Sequence, residues 1–143
     1  MTPQERAEQS AKAMLAHDGA TVGAGVRFVS VAEGRAVMQM AVEDRHLNGH
    51  GMCHGGYIFL LADTAFAVAC NSRNQVTVAQ ENQITYVSPG QPGEVLTATA
   101  QEVALNGRSG VYDVTVRGAD DRVVALMRGL ARQIKGQHFE EDT

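Results

Sequence analysis

Asp63 is the residue in this sequence that most needs a reason. It stands between Leu60-Leu61-Ala62 and Thr64-Ala65-Phe66, in a stretch otherwise dominated by apolar side chains. A carboxylate among hydrocarbon is costly unless it is hydrogen-bonded, paired or put to use. With a reference pKa of about 3.9 it is ionised at neutral pH, and can activate water or attack an electrophile. Two readings stay open at this point. Asp63 does chemistry, or it sits on an exposed stripe with Thr64 or in a structural hydrogen bond.

The same stretch begins with His54-Gly55-Gly56. Paired glycines let backbone N–H groups approach a ligand, and a helix start carries unsatisfied donors and a favourable dipole. Such an end can hold an anion or polarise a carbonyl toward an oxyanion. A tight loop-to-helix turn is the plain alternative. Gly55 and Asp63 are eight residues apart, or about 12 Å along a helix at 1.5 Å per residue. A single reacting carbonyl needs its base and its oxyanion donor within about 3 Å. If both features are catalytic, two copies of the helix must cross antiparallel about a two-fold axis. Asp63 of one subunit then faces the Gly55 end of the other.

His46, His50 and His54 recur at intervals of four, with Cys53 adjacent. On a helix this would be a metal-binding face. Asn48-Gly49 and Gly51 oppose a helix there, so no metal site is expected. No nucleophile elbow, phosphate-binding loop or zinc knuckle is present.

The elements that must position these residues follow from the rest of the chain. Its 143 residues fit one domain, 1–143, with 44% hydrophobic and 20% charged residues excluding wholesale disorder. Twelve Lys+Arg against sixteen Asp+Glu give a net charge of −4, which argues against a nucleic-acid partner. Two cysteines, Cys53 and Cys70, make no disulfide scaffold and suit a reducing cytoplasm. No secretory signal is visible, and the apolar stretch from Gly55 to Cys70 is shorter than the ~20 residues of a membrane span.

Pro3 and the spacing of Ala7, Ala11, Met14 and Leu15 predict an amphipathic helix over 3–17, closed by Asp18-Gly19. Two strands follow, joined at Glu33-Gly34, then a loop over 44–54. Residues 55–71 read as a helix apolar on nearly every face, as in a helix surrounded by protein. Four strands complete the order: 76–87, 94–105, 111–117 and 123–134, with Asn106-Gly107 as a hairpin signal. The polar end, 136–143, is expected to fray. The fold class is α+β, a mainly antiparallel sheet of about six strands covered by one central helix.

LNGHGMCHGGYIFLLADTAFAVACN, residues 47–71, closely resembles the core of the PaaI-type hotdog-fold acyl-CoA thioesterases of bacterial phenylacetate degradation. ITYVSPGQPGEVLTATAQ, NGRSGVYDV and RVVALMRGLAR extend the similarity over nearly the whole chain. The resemblance implies a curved antiparallel sheet around a long helix, subunits paired with active sites between them, and pairs associated into homotetramers. By motif position Asp63 resembles the catalytic carboxylate, and Gly55 the backbone N–H that polarises the thioester carbonyl. Asn48 resembles the side chain that orients water or substrate. His54, Gly56 and Thr64 take supporting, substrate-binding places. The substrate implied is an aryl-acetyl-CoA, phenylacetyl-CoA or a ring-hydroxylated derivative, hydrolysed to the free acid and CoA. No cofactor is implied, since CoA enters with the substrate.

Family members often carry Arg or Lys where this chain has Ser88 before the Pro-Gly turn. If that cation meets CoA phosphates, Arg108, Arg128, Arg132 or Lys135 must substitute, at least two of these being plain surface residues. Tyr57, Phe59, Phe66 and Tyr86 are available to an aryl pocket or to the core. Two other classes remain as alternatives: a hotdog enoyl-CoA hydratase or dehydratase using His54 with Asp63, and a non-catalytic acyl-CoA-binding module.

Overall fold

Strand-forming runs and one alanine-rich helix dictate the architecture. The structure is a computed structural model that describes residues 1–141. Six antiparallel strands form one sheet in the order β1-β2-β4-β5-β6-β3: β1 Val26–Ala32, β2 Arg35–Ala41, β3 Thr77–Tyr86, β4 Val95–Asn106, β5 Ser109–Arg117 and β6 Val123–Gln133. Helix α3, Gly55–Cys70, lies in the concave face of this sheet and contacts all six strands. The fold class and the strand count agree with the sequence reading, and each expected strand is found within two residues of its predicted ends.

The core is where strand alternation meets the helix. Met38 and Met40 of β2, Leu96, Ala98 and Ala100 of β4, and Val114 and Val116 of β5 turn inward onto Leu61, Ala62, Ala65 and Phe66 of α3. Alanines on both surfaces let the helix seat closely on the sheet, and each buried side chain adds about 0.8 kcal/mol per CH₂ removed from water.

The first helix, α1, is Pro3–Leu15 and carries a capping box: the Thr2 side chain accepts from Glu5 N–H, and the Glu5 carboxylate accepts from Thr2 N–H. It ends two residues before its expected limit. Asp18 does not merely close it. Its carboxylate caps a second, unexpected helix, α2 (Gly19–Gly23), by accepting from Thr21 N–H at 3.1 Å.

The expected fraying of the tail is corrected through residue 141. Asn74, buried and held at φ 58°, accepts from the N–H groups of His138 and Phe139, and donates to the Phe139 carbonyl and Glu141 carboxylate. The Arg6 guanidinium of α1 holds Glu141 at 2.6 Å. Polar residues at a chain end stay fixed when buried groups elsewhere need them as partners. Residues 142–143 of that expected tail lie outside the described residues. No helix among the described residues is long and apolar enough to cross a membrane.

Candidate active site

The start of α3 is built by His54 and the preceding loop. His54 occupies the N-cap with φ −61° and ψ 134°, and its Nδ1 accepts from Gly56 N–H at 2.9 Å. Its backbone carbonyl takes Tyr57 N–H at 3.0 Å and Ile58 N–H at 3.3 Å. Gly55 N–H is then the first donor of the helix left without a partner among the described residues. That is the geometry an oxyanion donor requires: a fixed N–H, backed by a helix dipole, that no internal group consumes.

Asn48 orders the loop. Its Oδ1 accepts from His50 N–H at 2.9 Å and Met52 N–H at 3.2 Å, and its Nδ2 makes no hydrogen bond among the described residues. Asn48 and Gly55 line one cleft of about 400 Å³ with Met52, Cys53, Tyr86 and Ser88. Asn48, Gly55 and the capping His54 thus lie together at one helix tip. Gly56 belongs to the same tip, but its N–H is spent on His54.

Asp63 is half-buried, one face of α3 being partly open along Phe59, Leu60, Asp63 and Ala67. Burial pushes its carboxyl above the usual carboxylate range, and a hydrogen bond from Asn82 partly offsets this. The Asn82 Nδ2 donates to Asp63 Oδ1 at 2.8 Å. Asn82 was missed in the sequence. Its signal is parity: it shares the helix-facing side of β3 with half-buried Ile84, where an apolar residue is the rule.

Other expected site residues go elsewhere. Thr64 is 8% exposed, and its hydroxyl lies 3.3 Å from that of Thr21, which donates to Asp18 at 2.6 Å. It fastens α2 to α3. Ser88 borders the cleft, but its hydroxyl donates to the Val123 carbonyl at 2.7 Å and accepts from Arg122 Nε at 3.1 Å. Arg122, overlooked in the sequence, places its guanidinium beside Ser88 and Pro89 and pairs with Glu94 at 2.8 Å. Arg108 sits on the β4–β5 turn by Gln75, Gln133 and Lys135, near the Cys70 end of α3 rather than at the Gly55 tip. Arg128 is paired with Asp113 at 2.7 Å, and Arg132 lies 3.5 Å from the Ser109 hydroxyl.

The aromatic candidates separate as well. Phe66 is 1% exposed and meets Tyr112 edge-on at 5.5 Å, so it is core. Tyr57 packs edge-on against His46 at 4.7 Å. Phe59 and Tyr86 keep exposed surface. His46 has both ring nitrogens committed: Nδ1 accepts from Glu43 N–H at 2.9 Å, which leaves Nε2 to donate to the Ala24 carbonyl at 2.7 Å. It is a buried brace, not a metal ligand. His54 and Asp63 are separated along the helix, so no His–carboxylate pair of the hydratase kind forms within the chain. Both thiols are kept neutral, burial pushing Cys53 up to about 11 and Cys70 up to about 12.

Comparison with known proteins identifies the family and the fold. The signature of the Thioesterase superfamily matches residues 50–125, from the loop before α3 into β6. The chain is 44% identical to the acyl-coenzyme A thioesterase PaaI of Escherichia coli over 131 residues, 92% of this chain and 94% of that one. The solved structure of the E. coli PaaI protein superposes with a TM-score of 0.93 at 42% identity, covering 95% of this chain and 99% of the other. A Streptococcus mutans protein solved with acetyl-CoA bound superposes with a TM-score of 0.75 at 28% identity, covering 78% and 90% of the two chains. With a six-stranded sheet wrapped around one central helix and these matches over most of its length, the chain belongs to the Thioesterase superfamily, with the hotdog fold of the PaaI-type thioester hydrolases.

Proposed function

We propose that the chain hydrolyses aryl-acetyl-CoA thioesters, phenylacetyl-CoA and ring-hydroxylated derivatives among them, to the free acid and CoA, as in phenylacetate degradation. The observation that carries the reading is the pairing of one half-buried acid with one unspent helix-tip N–H, at Asp63 and Gly55 of the same helix. Their spacing of about 12 Å along α3 bars them from one carbonyl within a single chain. A second copy of α3 lying antiparallel resolves this. The partly open stripe of Phe59, Leu60, Asp63 and Ala67 offers the contact, and β3 is an outer strand paired only with β6.

In the resulting site, Gly55 of the partner subunit donates its N–H to the thioester carbonyl oxygen. Asp63, ionised, either takes a proton from water as that water adds to the carbonyl carbon, or adds directly to give a mixed anhydride that water then opens. In both routes the C–S bond breaks as the tetrahedral oxyanion collapses. The sulfur leaves as the CoA thiolate and takes up a proton. The free Nδ2 of Asn48 is the donor placed to hold the water or the carbonyl. Phe59 and Tyr86 supply aromatic surface for an aryl group. Of the four candidate cations, Arg128 is paired with Asp113, while Arg108, Arg132 and Lys135 form no ion pair among the described residues and are available for CoA phosphates. The homodimer with shared sites, its association into a homotetramer and a cytoplasmic location belong to the same proposal. No cofactor is required by it.

A thiol-release assay over short, long and aryl-acetyl CoA thioesters tests the reading. Release favouring phenylacetyl-CoA and abolished in Asp63→Ala is expected. Full turnover by Asp63→Ala removes the acid from the mechanism, and a preference for long unbranched acyl chains overturns the substrate assignment.

A further inference from the structure

Asp63 is held on one side only, and the holder is itself locked. The Asn82 Nδ2 donates to Asp63 Oδ1, while the Asn82 Oδ1 is buried and has no hydrogen-bond partner. A buried amide oxygen left unpaired is costly. That cost is accepted here in order to point the NH₂ at the carboxylate. Gly129 lies opposite Asn82 in the β3–β6 pairing. A Cβ there would stand 2.8 Å from Asn82 Oδ1 and 2.6 Å from the Phe66 ring, so only glycine leaves room for both. Were the amide reversed, its oxygen would face a carboxylate oxygen, which is tolerable only with a proton between them.

We infer that Asn82 is a positioning residue for the hydrolytic reaction, its amide locked over Gly129 so that it binds Oδ1 of Asp63 and leaves Oδ2 as the atom that meets water or the thioester carbonyl. The inference rests on Asp63 being the catalytic acid, as proposed above. A donor to one oxygen fixes the plane of the carboxylate and favours its ionised form, the form either route needs. It thereby opposes the burial that pushes this carboxyl upward. Other titratable groups on or against α3 are Tyr57 and Cys70 on the helix, His54 and His46 before it, Tyr86 of β3, Tyr112 of β5 with Glu102 of β4, and Asp18 at the cap of α2. None of them forms a hydrogen bond or ion pair with Asp63 among the described residues. Asn82 is therefore the one side chain among the described residues that hydrogen-bonds the acid.

The test is the pH profile of kcat/KM with phenylacetyl-CoA for wild type and Asn82→Leu, a variant of similar size that lacks the donor. The acid limb, where Asp63 gains its charge, is expected to move up by about one pH unit. In an Asp63→Asn background the same substitution is expected to change nothing further. Asn82→Asp, nearly identical in shape, sets a second acid against the first and also moves the limb up, so it serves if the leucine variant does not fold. A uniform fall at every pH with an unmoved limb overturns the inference and leaves Asn82 a structural residue. Wild-type turnover by Asp63→Asn is a different failure: it removes the proposed function itself, whatever Asn82 does.

Discussion

The Tyr86 hydroxyl donates to the Gly55 carbonyl at 2.9 Å. Four residues earlier on the same strand, Asn82 reaches Asp63, eight residues further along α3 than Gly55. Four strand residues span about 13 Å and eight helical residues about 12 Å. Strand β3 therefore runs antiparallel to α3 as a matched rail, fixing its tip with one side chain and its acid with another. Gly55 and Asp63, the two groups assigned to catalysis, are held by the same strand.

Tyr86→Phe cuts the tip free of this rail without changing the ring. A neutral hydrogen bond contributes about 1 kcal/mol, so kcat is expected to fall about fivefold with Tm nearly unchanged. An unaltered kcat means that Gly55 is positioned by its His54 cap alone.

Gly129→Ala drives a methyl group into the Phe66 ring and Asn82 Oδ1, at 2.6 and 2.8 Å. Overpacking of this kind costs about 1–3 kcal/mol. Thermal unfolding is expected to show the lower Tm, with activity falling further than the small loss of folded protein explains, because Asn82 is displaced. A variant as stable and as active as wild type contradicts the close fit.

Asp63 should weaken the fold at neutral pH. Burial raises its folded-state pKa above the unfolded value, so between the two values the folded state binds more protons, and stability falls as pH rises through that window. Asp63→Asn is therefore expected to raise Tm at pH 7, and the gain to vanish below about pH 4, where the acid is protonated in both states. A constant difference across the range rules out the titration as its source. The cost of keeping the acid is consistent with its use in catalysis rather than in folding.

Neither thiol is expected to take part in the reaction. Cys53 borders the cleft, yet both thiols are buried and held protonated. Iodoacetamide at pH 8 is expected to leave the activity of the folded enzyme intact, with each cysteine labelled only after unfolding. Rapid loss of activity on labelling contradicts this.

The sequence was most readable where local chemistry decides. Frequent alanine and leucine with sparse β-branching made α3 visible, and Asn106-Gly107 marked the β4–β5 turn, with Gly107 at φ 60°. It was least readable where one residue serves two ends. Asp18-Gly19 reads as a helix stop, but Asp18 also starts α2. Thr64 beside Asp63 looks like a site residue until α2 is seen above it. Partners distant in sequence were hidden altogether. Nothing near 136–141 announces that Asn74 will pin it, and nothing near Ser88 announces that Arg122 will cover it. Asn82 showed only as a break in strand parity, which becomes meaningful once β3 is known to face α3.

The central claim is that two copies of α3 build each site, and mixing two dead variants tests it most directly. Asp63→Ala removes the acid. Gly55→Pro removes one N–H at a helix position that favours proline, after a residue whose φ −61° and ψ 134° suit a following proline, with the Tyr86 ring yielding slightly to the new Cβ. Each alone should be inactive. Refolded together at equal amounts, half the dimers are mixed and each of these has one intact site, so activity should return to about one quarter of wild type. A mixture as inactive as its parts contradicts the shared site.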